Sequence, residues 1–184
     1  MARLMGVEIK NLKKFKGVEY PDNYQGDIYL DGKKQGFWSQ DSWGGPDRFD
    51  FNEEEIQKTA KEWNKKTNSG YDDIEVFMDE LLHFTQIEKD VKKYFNKGYK
   101  TMVVMKSGVA DSFVALPELT DEESAIKECK KEIEKFKDFA KKYHHYDAVR
   151  VMVINSMDAF RECENIPFKE FPIDKQKDTD EPER

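Results

Sequence analysis

The chain of 184 residues contains few cysteines, histidines, prolines and glycines, and it has no long apolar run. Its two cysteines, Cys129 and Cys163, are too few for a disulfide framework or a four-cysteine zinc site. No apolar stretch approaches the roughly 18 residues needed to cross a bilayer, and the first residues lack the apolar core of a signal peptide. We therefore expect a globular protein that works in a reducing compartment such as the cytoplasm.

Aromatic and charged residues are abundant instead. Aromatic residues make up 13% of the chain and each can bury a large area, so one ordinary domain or two small ones can form a core. The net charge is −7, and it is unevenly distributed: residues 41–90 hold 14 acids and 6 bases, whereas the first 20 residues hold 5 bases and 2 acids. The acidic middle repels phosphate and favours a basic protein partner over nucleic acid. An ordinary solvated surface is the alternative interpretation of the same charge run.

Local patterns predict an α+β fold in which antiparallel β-hairpins pack with about three main helices. Asp31-Gly32 separates two β-prone runs, and this pair predicts a type I′ hairpin turn because both central residues need positive φ. Short strands are also expected at residues 4–9, 15–20, 48–51, 102–105, 112–116 and 149–154.

Three helices are predicted, two of them from capping residues and one from apolar spacing. Asn52, followed by three glutamates, predicts a helix from residue 53 to about Lys66. Apolar residues at helical spacing predict a second helix from residue 72 or 73 to about 95, which ends before Gly98. Thr120, with Glu123 three residues later, matches a capping box that begins a third helix reaching about residue 143.

These elements suggest three parts of the chain. Residues 1–98 form a strand-rich N-terminal part with two helices, and residues 99–168 form a ββαβ-like part. Residues 169–184 are strongly polar, and we expect them to be a disordered tail.

No catalytic, cofactor-binding or metal-binding residue is predicted. His83 stands beside Asp79 and Glu80, but no second histidine at metal-site spacing accompanies it. The sequence pattern places no general base next to Cys163 that could activate it as a nucleophile. The Gly44-Gly45-Pro46 stretch matches neither phosphate-loop pattern. An enzyme with an unfamiliar site around His83 or Cys163 stays open as a third-ranked alternative.

The candidate partner-binding residues are acidic and aromatic. Asp72-Asp73 and Asp79-Glu80 recur at a spacing of seven and so share one helical face, with Glu75 between them, where carboxylates could imitate a row of phosphates. Trp43 lies on a loop and could anchor a partner, although packing in the core is about equally compatible with the pattern. The candidate set is Trp43, Asp72, Asp73, Glu75, Asp79 and Glu80.

Several stretches within residues 5–95 resemble small proteins from bacteriophages and mobile elements of Gram-positive bacteria. They are Gly26–Gly36, Gly44-Gly45, Arg48–Phe51, Asp79–Leu82 and Glu88–Lys93. Small acidic proteins of this origin include anti-CRISPR proteins, which bind and disable host nucleases. The resemblance therefore implies a possible inhibitory function, but it assigns no functional residue, and the chain from Tyr99 onward lies outside it.

The function we predict is a non-enzymatic, phage-type inhibitor of a host defence nuclease, most simply a Cas9-like effector. Its acidic and aromatic surface would meet the basic groove in which such a nuclease holds nucleic acid. The alternative is a direct nucleic-acid-binding accessory protein that uses a basic N-terminal strip. That strip consists of Arg3, Lys10, Lys13, Lys14 and Lys16. Neither prediction involves a membrane, and the oligomeric state is left open.

Overall fold

The computed structural model describes residues 1–19, 22–67, 73–107, 110–142 and 148–173. These residues form two antiparallel four-stranded sheets, four α-helices and two short 3₁₀ helices, which confirms the predicted α+β fold. In chain order the strands and α-helices are β1 (Val7–Phe15), β2 (Asn23–Leu30), β3 (Lys33–Ser39), β4 (Arg48–Asp50), α1 (Glu53–Thr67), α2 (Ile74–Phe95), β5 (Thr101–Lys106), β6 (Asp111–Leu116), α3 (Glu122–Glu128), α4 (Lys130–Ala140), β7 (Ala148–Ile154) and β8 (Phe168–Pro172).

The chain divides into two compact units, and the first comprises residues 1–90 and 157–165. Its sheet has the strand order β1-β2-β3-β4. The 3₁₀ helices at Met157–Arg161 and Cys163–Asn165 return to the N-terminus, where Arg3 N donates to Phe160 O (3.1 Å) and Cys163 N donates to Arg3 O (2.8 Å). This unit is therefore discontinuous in sequence, whereas the expected parts 1–98 and 99–168 were continuous.

The predicted hairpin is confirmed between β2 and β3. Asp31 (φ 47°) and Gly32 (φ 77°) both have the positive φ that a type I′ turn requires. The strand predicted at 4–9 is confirmed for Val7–Ile9, but β1 continues from there to Phe15 across a register shift. The second strand predicted at 15–20 is wrong, because the described residues 16–19 that follow Phe15 are not part of a strand. The N–H groups of Val18 and Glu19 bind Ser42 O instead of a strand, and Tyr20 lies outside the described residues.

The first two helices have the predicted positions. Asn52 Oδ1 accepts from Glu54 N (3.2 Å) at the start of α1, which confirms Asn52 as the cap. At the end of α2, Gly98 has φ 95° and its N–H binds Phe95 O at 3.0 Å. The positive φ explains why the helix ends there.

The second unit comprises residues 91–156 and 166–184, of which residues 108–109, 143–147 and 174–184 lie outside the described part. Its sheet has the strand order β6-β5-β7-β8. Helices α3 and α4 share a buried apolar cluster with β5, β6 and β7. The members of that cluster include Val103, Met105, Leu116, Ala125, Cys129, Ile133, Phe136, Val149 and Val151.

The predicted third helix differs from the structure in two ways. It is divided at Cys129 (φ −88°, ψ 9°) into α3 and α4. Its cap is Asp121 rather than Thr120, because Asp121 Oδ1 accepts from Ser124 N at 3.0 Å. Thr120 Oγ1 instead donates to the carbonyl of Glu118 at 3.3 Å. The helix thus starts one residue later than the capping-box pattern indicated, and the predicted end near residue 143 lies outside the described residues.

Part of the expected tail is a strand. Residues 168–172 form β8, which pairs with β7 from Ala148↔Pro172 to Met152↔Phe168. Most β8 side chains are exposed, so the strand lacks the apolar alternation by which it could have been recognised. The rest of the expected tail, residues 174–184, lies outside the described residues. Of the helices in the described part of the chain, none has the length and apolar character that crossing a membrane requires.

Candidate functional site

Trp43 lies on the loop between β3 and β4, and its exposed fraction is 69%. The backbone N–H of Trp43 donates to Asp41 Oδ1 at 2.7 Å, and Gly44 N donates to Asp41 O at 3.4 Å. Asp41 therefore shapes the turn on which Trp43 stands. The core-packing interpretation of Trp43 is wrong, because the buried tryptophan of this region is Trp38.

The loop that carries Trp43 is bound to α2 near both of its ends. Gln40 Nε2 donates to Asp79 Oδ1 at 3.3 Å, and Asp47 N donates to Glu75 Oε1 at 2.8 Å. These bonds join residues that lie 39 and 28 positions apart in the sequence. The structure thus brings the loop of the predicted aromatic anchor together with two of the predicted acidic residues.

Asp73 caps the same helix. Asp73 Oδ1 accepts from Glu75 N at 3.0 Å, so its carboxylate lies in the first turn of α2. We call Asp47, Asp73, Glu75 and Asp79 the acidic cluster. Glu80, the next residue along α2, is half-buried, and Asp72 lies outside the described residues.

Asp47 was not a sequence candidate, yet it connects the acidic cluster to the core. Trp38 Nε1 donates to Asp47 Oδ2 at 2.7 Å. Burial raises the pKa of Asp47 to about 6; the hydrogen bond from Trp38 opposes this shift, and the negative charges of Asp79, Glu75 and Asp73 add to it. No local pattern marks Asp47, because its role depends on residues of β3 and α2.

The pKa of Asp79 is raised as well. The first cause is loss of water around the carboxylate, and the hydrogen bond from Gln40 opposes it. The charges of Glu75, Glu80 and Asp73 raise it further. Asp79 keeps an exposed side, so water screens much of this repulsion.

Crowding of like charges makes the acidic cluster receptive to a cation. Four carboxylates share this surface, and the hydrogen bonds they accept come from uncharged N–H groups of the same unit. Each carboxylate has a second oxygen that can accept from a lysine or arginine. An approaching cation would offset the mutual repulsion, which is the electrostatic condition for binding a basic surface.

The cysteine alternative is weakened by burial. Cys163 Sγ donates to Phe160 O at 3.7 Å, and burial raises its pKa to about 12. Burial likewise raises the pKa of Cys129 to about 11. Both groups are thiols at neutral pH and thus poor nucleophiles. His83 is half-buried on α2, and within the described ranges no three or more His, Cys, Asp or Glu residues are arranged to hold a metal ion.

Three cations of the basic N-terminal strip have acidic partners in the same unit. Arg3 forms an ion pair with Glu162. Lys14 Nζ lies 2.6 Å from Asp22 Oδ1. Lys10 Nζ lies 3.5 Å from Glu8 Oε2 and 4.2 Å from the centre of the Tyr29 ring. These pairs reduce the charge that the strip could present to phosphates.

Compared with protein-family models, curated proteins and solved structures, the chain shows no significant similarity to any of them. The resemblance to phage and mobile-element proteins therefore stays a prediction.

Proposed function

We propose that this protein is a non-enzymatic inhibitor that binds a defence nuclease of the Cas9 type in the cytoplasm of a bacterial host cell. The observation that carries the proposal is the connection of the Trp43 loop to Glu75 and Asp79. The loop that carries this exposed aromatic side chain is hydrogen-bonded to two of the crowded carboxylates. Such a surface complements the basic groove in which a nuclease holds nucleic acid.

The two components of the surface have different tasks. The acidic cluster attracts lysine and arginine side chains and competes with phosphates for them. Trp43 supplies apolar contact area, as tryptophans at the centres of interfaces do. Val18, 63% exposed, is bound through its N–H to Ser42 O and adds apolar surface beside the loop. Binding should weaken as salt rises, because exposed charges are screened within about 8 Å at physiological ionic strength.

The test is affinity capture from a lysate of a CRISPR-bearing Gram-positive bacterium after nuclease digestion. The variant Asp73→Asn, Glu75→Gln, Asp79→Asn removes three charges but keeps an oxygen acceptor for each internal hydrogen bond. Charge reversal would break those bonds, so amides are the sharper change. The matched control, Glu62→Gln, Glu128→Gln, Asp138→Asn, alters the same number of charges at exposed positions elsewhere.

We expect the unaltered protein and the control to retain a defence nuclease, and the three-amide cluster variant to lose it. The retained nuclease should also cleave its DNA target more slowly as the protein is added. Equal capture by the cluster variant would contradict the acidic surface. Binding that disappears with digestion of the nucleic acid would instead favour the direct nucleic-acid binder.

A further inference from the structure

A groove of about 410 Å³ lies in the second unit between helices α3 and α4 and strand β8. Its apolar lining is formed by Ile126 of α3, Ile133 of α4 and Phe171 of β8. This volume is in the range of sites that bind small ligands or short peptide segments. All of its lining residues belong to the second unit, so the groove shares no residue with the acidic cluster.

The charged lining of the groove is predominantly positive. Lys127, Lys130 and Lys169 line it, and in the described part of the chain none of the three forms an ion pair. Of the two acids in the lining, Glu134 is paired with Lys137 (3.5 Å), which leaves Glu123. The groove thus combines apolar contact with an excess of cations, and its charge complements an anionic, partly apolar ligand.

Strand β8 is the edge of its sheet. In the order β6-β5-β7-β8 it pairs with β7, and no further strand among the described residues covers its other side. An edge strand presents unpaired backbone N–H and C=O groups. Lys169 and Phe171 are two residues apart, so they project from the same face of β8, and both line the groove.

We propose that this groove binds an extended peptide of a protein partner, which adds to β8 as a further strand. Every second peptide residue would face the helices, and those residues would alternate between apolar and acidic. The apolar side chains would contact Ile126, Ile133 and Phe171, and the carboxylates would meet the three lysines. Strand addition supplies backbone hydrogen bonds for affinity, and the groove beside the edge supplies selectivity. This activity is independent of the proposed nuclease inhibition.

The test is a fluorescence-anisotropy titration of the full chain with a labelled peptide, Thr-Val-Thr-Glu-Thr-Val-Thr-Glu. We expect saturable binding to this peptide and none to the analogue in which lysine replaces glutamate. The substitutions Lys127→Glu, Lys130→Glu and Lys169→Glu should each weaken binding about tenfold or more. The matched controls Lys131→Glu and Lys135→Glu make the same charge change outside this groove, and they should weaken binding much less.

Two N-methylated peptides test the strand geometry without altering the protein. One carries N-methyl groups on every threonine, and the other carries them on every valine and glutamate. In an added strand the N–H groups that face β8 belong to alternate residues, so one peptide should lose binding and the other should keep it. This comparison remains informative if a lysine variant fails to fold, which thermal melts by circular dichroism would reveal.

Several results would overturn the proposal. The first is the absence of saturable binding at about 1 mM peptide. The others are equal binding of the lysine analogue and equal affinity of the two N-methylated peptides. A further variant replaces the five acidic residues of 174–184 by amides. If the peptide binds only that variant, the groove's occupant is the chain's own C-terminal segment and not a partner.

Discussion

The indole Nε1 of Trp38 donates a 2.7 Å hydrogen bond to Oδ2 of Asp47. Trp38 is fully buried, so water cannot replace this acceptor. The backbone N–H of Asp47 in turn donates to Glu75. One residue of the loop therefore links the core of the first unit to the acidic cluster, and the consequences for stability can be measured.

Replacing Asp47 should reveal the value of this acceptor. We expect Asp47→Ala to lower the free energy of unfolding by about 1–3 kcal/mol, because the buried indole N–H loses its partner. Asp47→Asn should lower it less, because the amide oxygen can still accept. Urea denaturation at pH 7 measures both. An equal loss in the two variants would contradict a hydrogen-bonding role for this side chain.

The same carboxylate should make stability depend on pH. The pKa of the Asp47 carboxyl is about 6 in the folded protein, whereas the ordinary value for an aspartate is 3.8. The folded state therefore binds this proton more tightly than the unfolded state does. Between pH 4 and about 6 the unfolded state has already released this proton, while the folded state still holds it. The free energy of unfolding should therefore fall as the pH rises through this range. The raised pKa of Asp79 acts in the same direction.

Urea denaturation at a series of pH values between 4 and 7 measures this effect. Asp47→Asn serves as the comparison, because it keeps an acceptor for Trp38 and has no proton to release. The decline in stability between pH 4 and 6 should be shallower in this variant. Parallel curves for the variant and the unaltered protein would show that the titration of Asp47 contributes nothing.

Local chemistry made several elements predictable. The Asp31-Gly32 turn requires positive φ at two adjacent positions, and few other pairs supply it. The cap of α1 was equally clear, because Asn52 directly precedes three glutamates. At α3 the adjacent Thr120 and Asp121 could both cap a helix, so the pattern alone could not choose between them. Strand β8 carried no apolar alternation and was missed.

The candidate site depended more on distant contacts. Helical spacing grouped Asp79 with Glu75, and the loop position singled out Trp43. The hydrogen bonds that join the loop to α2 connect residues 28 and 39 positions apart, and no sequence pattern encodes such a pairing. For the same reason Asp47 was not found, because its raised pKa results from packing against Trp38 and from charges on α2.

Gly36 allows β4 to lie close to β3. A Cβ at this position would lie 2.0 Å from the backbone oxygen of Asp50 and 2.8 Å from the Cβ of Phe51. Since a backbone oxygen cannot turn aside, Gly36→Ala should displace β4 and lower the free energy of unfolding by about 1–3 kcal/mol. Thermal melts should show the loss.

The control for this substitution is Gly32→Asn. Gly32 has φ 77° and open space around its Cα, and asparagine tolerates positive φ better than most residues. We expect Gly32→Asn to be clearly less destabilising than Gly36→Ala. If the two variants melt alike, the close approach of β4 does not limit what position 36 accepts.

Trp43 and Leu119 provide a matched pair for separating binding from stability. Their exposed fractions are 69% and 68%, and they lie in different units. Truncating either side chain to alanine should change the free energy of unfolding by no more than about 0.5 kcal/mol, as for other exposed positions. Only Trp43→Ala should weaken nuclease capture, by about tenfold or more if the side chain acts as an interface anchor. If Trp43→Ala captures the nuclease as well as the unaltered protein does, Trp43 is not an aromatic anchor. If Leu119→Ala loses as much capture as Trp43→Ala, the effect is not specific to the Trp43 loop.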